Sequence, residues 1–249
     1  MTPTDWLRTL SEMLGVSAII LLASRSPRIK SIVPLGFRYP FRDGPVALSL
    51  FVLLFVFAFQ VYRWPALLDL IPVELETLYG QTFLRAGLAL AALLIILLAL
   101  ILRGQPLWSA SWQKTNLRMS IYAGVAAGFL TLFLRNRFMT VLGGVSPEAG
   151  RGLLVLLVMC LAEETVFRGY IQPRLVSWWG PRWGLVGAVA AYVLWQLPGR
   201  LWVLPFAGIW PVLVIALVQG ALLAWMRQKT GHVIGGILYR TLSAWLAFL

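Results

Sequence analysis

Charge is scarce in this sequence: Asp, Glu, Lys and Arg make up 12% of its 249 residues, against roughly a quarter in a soluble domain. With 60% of residues hydrophobic, the chain cannot build a water-facing surface, and its solvent is lipid. Cysteine occurs once, as Cys160, so no intrachain disulfide exists. Histidine also occurs once, as His232, whereas a catalytic zinc needs three protein ligands; neither a metal nor any other cofactor is expected. No polar linker, low-complexity tract or repeat period divides the chain, which reads as one membrane domain. The N-terminus carries Asp5, Glu12 and only Arg8 before Met13–Ala23. It lacks the basic n-region and small-residue cleavage site of a signal peptide.

What is present is a formal net charge of +12, dispersed between apolar runs rather than gathered on one amphipathic face. That distribution speaks against nucleic acid as a partner and for topology control and contact with anionic lipid headgroups. About 20 apolar residues in a helix span the hydrocarbon. By that measure spans are predicted at Gly44–Tyr62, Ala86–Leu102, Met119–Leu134, about Gly152 to Gln172, Gly184–Leu197, Phe206–Met226 and Gly231–Leu249. Met13–Ala23 is shorter and reads either as an eighth, tilted span or as an interfacial helix. The expected fold is all-α, a polytopic transmembrane bundle of seven to eight helices. It divides into an N-terminal helix and basic segment (1–43), the first transmembrane helices (44–118) and a core (119–249).

If the first long helix leaves the cytoplasm, segments 25–43, 103–118, 173–183 and 227–230 lie inside with twelve Lys and Arg. The outer segments hold six: Arg63, Arg85, Arg135, Arg137, Arg151 and Arg200. The excess of positive charge sets the first group cytoplasmic. Trp64, Trp108, Trp112, Trp178, Trp179, Trp183 and Trp225 fall at predicted span ends, where an indole is comfortable with one wet edge. The spacing Ala123, Gly124, Ala127, Gly128 reads as a close helix-packing face.

Four charges lie inside predicted spans: Glu163, Glu164, Arg168 and Arg240. Each costs about 2.5–3.5 kcal/mol on insertion scales, so they need a shared reason. Glu164 and Arg168 are four apart on one helix face and can pair, while Glu163 points roughly 100° away and needs another partner or a water-filled cavity. The charges alone fit an ion-pair clip between helices as well as a glutamate that activates water.

The stretch Ala162-Glu163-Glu164-Thr165-Val166-Phe167-Arg168-Gly169-Tyr170, followed by Leu175, resembles the EExxxR signature of the CAAX-protease and bacteriocin-processing family of intramembrane endopeptidases. The resemblance is best over residues 119–249. The family's second motif, FxxxH, aligns with Tyr192-Val193-Leu194-Trp195-Gln196, so glutamine stands in the histidine position. Its third motif, HxxxN or HxxxB, falls on Arg240-Thr241-Leu242-Ser243-Ala244, with arginine for histidine and alanine for asparagine. Glu163, Gln196 and Arg240 lie roughly 14, 18 and 14 Å from the inner ends of their predicted helices at 1.5 Å per residue. All three approach the midplane.

The resemblance implies Glu163 as general base, with Glu164, Arg168, Gln196 and Arg240 completing the site and a membrane-associated protein or peptide as substrate or ligand. Gln196 can hold a water but cannot exchange its proton. Arg240 can stabilise an oxyanion but cannot serve as a base, and Ala244 offers neither donor nor acceptor. Glu163, Glu164, Arg168 and Arg240 could instead form a neutral buried quartet. Three readings stay open: an endopeptidase with altered supporting residues, a non-catalytic relative that acts as a membrane binding, immunity or scaffold protein, and a small transporter. The expected location is the bacterial inner membrane. Cys160, three residues before Glu163, reads as small apolar packing. His232 reads as a polar residue opening the last helix.

Overall fold

The computed structural model describes residues 3–27, 29, 37–64, 68, 74–203 and 205–249. Among these the chain is helical throughout: α1 (Pro3–Ser24), α2 (Pro40–Arg63), α3 (Leu78–Leu102), α4 (Leu117–Leu134), the short α5 (Phe138–Leu142), α6 (Pro147–Glu164), α7 (Gln172–Val203), α8 (Phe206–Thr230) and α9 (Ile234–Trp245). Between α6 and α7 the chain is a π-helix, Thr165–Ile171.

Local chemistry sets the ends. The Thr77 hydroxyl accepts from the Gly80 N–H at 3.0 Å and opens α3, and the Ser146 hydroxyl accepts from Ala149 at 3.2 Å, ahead of Pro147, to open α6. Each satisfies one of the donors that a helix start leaves free. Gly231, at φ 74°, ends α8 in the left-handed region, which costs glycine nothing. Within α7, Gly180 at φ 81° precedes Pro181 and reverses the chain. The reversal is tight enough that a Cβ on Gly184 would meet the Val176 backbone at 2.4 Å.

The long helices pack in sequence, α1 on α4, α4 on α9, α9 on α6, α6 on α3, and, on the other side, α2 on α7, α7 on α8 and α8 on α1, with only a narrow contact between α2 and α3. The π segment runs through the middle, and every residue from Thr165 to Ile171 is buried. The predicted small-residue face is the α4–α9 seam: a Cβ on Gly124 would lie 2.4 Å from the Gly235 carbonyl oxygen, and one on Gly128 would meet Leu242.

Among the described residues five helices are long and apolar enough to cross a membrane: Trp6–Ser24, Pro40–Arg63, Leu78–Leu102, Leu117–Leu134 and Gly208–Thr230. Four coincide with predicted spans. The fifth is the N-terminal helix, which is longer than Met13–Ala23 suggested because Glu12, placed outside that run, lies inside the helix and is buried. The runs at 152–172, 184–197 and 231–249 do not meet that measure. They carry the polar motif positions, and Glu163, Gln196 and Arg240 are buried while Leu154, Val158, Val186 and Leu194 on the same runs are exposed. Residues 65–67 and 69–73, including Asp69 on the predicted outer side, lie outside the described residues.

Candidate functional site

Glu163 closes the last turn of α6, and its side chain is buried. Its Oε1 accepts from the Trp195 indole N–H at 2.9 Å and from Arg85 Nε at 3.1 Å. Its Oε2 accepts from Arg85 Nη2 at 3.5 Å and makes a close ion pair with Arg240 Nη2. Glu164 Oε1 lies 3.4 Å from Arg240 Nη1 and 3.3 Å from Arg168 Nη1. The Arg168 contact is an ion pair without hydrogen-bond geometry. Arg168 also donates from Nη2 to the Gly220 carbonyl at 3.2 Å.

Tyr192, the first position of the second motif, lies under both guanidiniums, with Arg168 3.9 Å and Arg240 5.0 Å from its ring centroid. A cation over an aromatic face gains from the ring quadrupole, more so when desolvated. Gln196 Oε1 accepts a close hydrogen bond from Arg85 Nη2. Its Nε2 is buried and has no partner among the described residues.

The structure therefore brings together all five residues singled out in the sequence: Glu163, Glu164, Arg168, Gln196 and Arg240. It also corrects the expected neutral quartet. Arg85 enters from α3 as a third guanidinium, so three arginines face two carboxylates and the cluster carries a net charge of +1. Hydropathy alone starts the apolar run at Ala86 and so puts Arg85 among the outer charges. The helix begins at Leu78, and the signal was Thr77, a capping residue with no proline between it and the run. Trp195 falls on an unspecified position of the second motif, yet its N–H completes the shell of Glu163.

The π-helix explains how the motif is aimed. A π segment adds a residue to the turn and so rotates everything after it, setting Arg168 against Glu164, Gly220 and Tyr192 together. Gly169 is the place where the 3₁₀ turn Leu107–Ala110 approaches, and a Cβ there would stand 2.4 Å from the Ala110 carbonyl oxygen. The Phe-Arg-Gly sequence thus carries one ligand of the cluster and one point of backbone contact.

A cavity of about 700 Å³ reaches this cluster from the side of α3 and α7 that holds Leu78 and Val203. Arg85, Trp195, Gln196 and Ala244 line it, and Glu163 does not. Arg85 and Gln196 stand between the cavity and the carboxylate.

Elsewhere, Glu12 of α1 is the centre of a second buried cluster, which the sequence reading did not foresee. It accepts from Arg135 at 2.9 and 3.0 Å, Ser243 at 3.1 Å, Tyr239 at 3.2 Å and Thr131 at 3.3 Å. The available signal is Glu12 itself, a carboxylate directly before the apolar run Met13–Ala23. Cys160 is buried in the main core. His232 accepts from the Ile234 N–H through Nδ1 at 3.0 Å and lies edge-on to Trp112.

The site is thus a polar cluster among apolar helices, with paired carboxylates on α6 and polar residues from α3, α7 and α9 converging on them. Residues 146–246 match the family model described as type II CAAX prenyl endopeptidase Rce1-like, and that segment contains all three motif positions. The chain is thus an integral membrane protein that is CAAX-protease-like over this segment, in agreement with the resemblance carried by Glu163, Glu164 and Arg168. Neither curated proteins nor solved structures give a match to the chain.

Proposed function

We propose that the chain is a CAAX-protease-like protein of the bacterial inner membrane that binds a membrane-associated protein or peptide without hydrolysing it. The observation that carries this reading is the shell of Glu163. A carboxylate has about four acceptor sites, and here two from Arg85, one from Arg240 and one from Trp195 occupy them. A general base must hold the water whose proton it takes, and Glu163 has no lone pair left to hold one. The exchange of histidine for Gln196 and Arg240 removes the other groups that could move a proton.

A second reading, an endopeptidase with Glu163 as base, is favoured by one feature: the cavity ends on Arg85 and Gln196. A substrate that drew Arg85 away would expose the carboxylate.

The two readings separate in reconstituted vesicles with a membrane-anchored peptide. The wild type is expected to co-purify with the peptide and leave it intact. Arg85→Gln, Gln196→His, Arg240→His and Ala244→Asn together should create cleavage, since general acid–base assistance contributes typically 10²–10⁴-fold. The same set without Arg85→Gln should stay inactive, because Arg85 still fills two acceptor sites. Cleavage by the wild type that is lost in Glu163→Ala would sink the binding reading.

A further inference from the structure

The cavity beside the cluster has a wall of one sign. Arg8, Arg85, Arg135, Arg137 and Arg200 line it, and no Asp or Glu is among its described lining residues. Glu74 and Glu76 flank Leu75, but only the leucine reaches the wall. The carboxylates within reach are already committed: Glu12 holds Arg135, while Glu163 and Glu164 are shared among Arg85, Arg168 and Arg240. Counting the wall and the cluster behind it, seven guanidiniums meet three carboxylates, a surplus of four positive charges among the described residues.

That surplus sits between low-dielectric walls, where a field of one sign is focused rather than screened and attracts a counter-charge. Two further features describe the counter-charge. Gln196 lines the cavity beside Arg85, its Oε1 is taken up by Arg85 and its Nε2 has no partner among the described residues, so the cluster end of the cavity offers donors and no free acceptor. The remaining wall is strongly apolar, with Leu84, Leu88, Leu156, Met159, Ile215 and Phe248. Arginines suit phosphate geometry through paired N–H groups, and the apolar wall suits an acyl chain. The volume, about 700 Å³, lies within the usual range of ligand sites.

We infer that this cavity is a binding site for an anionic phospholipid, with the phosphate taken by the arginines and an acyl chain lying along the leucines. Basic pockets between transmembrane helices take lipid headgroups by this same complementarity. The inference does not rest on whether Glu163 hydrolyses anything. A peptide segment and the lipid would compete for one space, so occupancy is to be measured with no peptide present.

The test uses the full-length protein in neutral detergent, with phosphatidylglycerol, phosphatidylcholine or inorganic phosphate added, and reads bound lipid by native mass spectrometry and thermal midpoint in parallel. Phosphatidylglycerol is expected to bind at least about tenfold more tightly than phosphatidylcholine and to raise the midpoint, as any ligand of the folded state does. Arg137→Gln with Arg200→Gln should weaken it by about tenfold or more, the scale of one charge-assisted contact. Arg200 makes no ion pair among the described residues and Arg137 makes one exposed hydrogen bond, to the Leu249 main-chain oxygen at 3.0 Å, so the lipid-free midpoint should change little. Should the double variant misfold, Arg8→Gln at the exposed rim gives the same reading with a smaller effect. Equal binding of the two lipids, or unchanged binding in both variants, overturns the inference. So does inorganic phosphate displacing phosphatidylglycerol at comparable concentration, which would make the ligand a soluble phosphate compound. A peptide with a free carboxylate that binds while phosphatidylglycerol does not would likewise replace the lipid.

Discussion

Glu163 shows how much one residue's role depends on its neighbours. In a catalytic site a carboxylate is exposed to its water, and replacing it is often harmless to stability. Here it joins Arg85, Arg240 and Trp195 from three other helices. Removing one partner of a buried ion pair costs about 3–5 kcal/mol, because the other charge is left unpaired. Glu163→Gln is therefore expected to lower the thermal midpoint in detergent by several degrees; an unchanged midpoint would contradict the ion-pair geometry. His232 gives a test by pH. Burial pushes its imidazole down to about 4 from the ordinary value near 6.5, and Nδ1 needs its lone pair to accept from Ile234. The folded state thus keeps the neutral form while the unfolded chain takes a proton below about pH 6.5. Its contribution to stability is complete above that pH and falls as pH drops towards 4. Between pH 6.5 and 5 the midpoint should fall less in His232→Asn, whose side-chain oxygen can accept the same bond without titrating.

At the scale of the helix, the sequence placed the elements well and their ends poorly. Apolar runs mark where chain must face lipid, which made α2, α3, α4 and α8 readable. The cost of a boundary error was Arg85: starting the run at Ala86 put a member of the cluster into a loop. The π-helix at Thr165–Ile171 had no visible signal, because its extra residue is stabilised by the packing around Tyr170 and Arg168 rather than by any local residue type. The α4–α9 seam, by contrast, was legible, since only small side chains allow two backbones to approach so closely. Gly124→Ala should destabilise the protein by about 1–3 kcal/mol, the usual scale of overpacking, because its Cβ would stand 2.4 Å from the Gly235 carbonyl oxygen. Gly87→Ala on α3 meets nothing within 4 Å and should be tolerated. Equal midpoints for the two variants would mean that the seam is looser than described.

Across the whole molecule, the same side that holds Arg85, Arg135, Arg137 and Arg200 also holds the mouth of the cavity, while Arg103, Lys114, Arg174 and Arg227 belong to the other. The positive-charge bias assigns that second side to the cytoplasm, and moving Arg85 into α3 strengthens the bias by removing one outer charge. Single cysteines at Lys114 and Glu74, in a Cys160→Ala background, are expected to react with an impermeant reagent from opposite sides of the membrane; reaction from one side would undo the orientation and place the cavity mouth elsewhere. Composition and hydropathy by themselves determined that this is a membrane-embedded helical chain, and the spacing of Glu163, Glu164 and Arg168, with matched depths for Gln196 and Arg240, determined that one polar cluster exists near its middle. Both follow from costs that each residue meets on its own, in water or in lipid. Only the tertiary structure decided that Arg85 and Trp195 complete the shell of Glu163, that Glu12 anchors a second cluster, and that the cavity wall is wholly basic among its charges. These depend on which helices become neighbours, and a carboxylate's acceptor sites are filled by whatever donors the packing brings within about 3 Å.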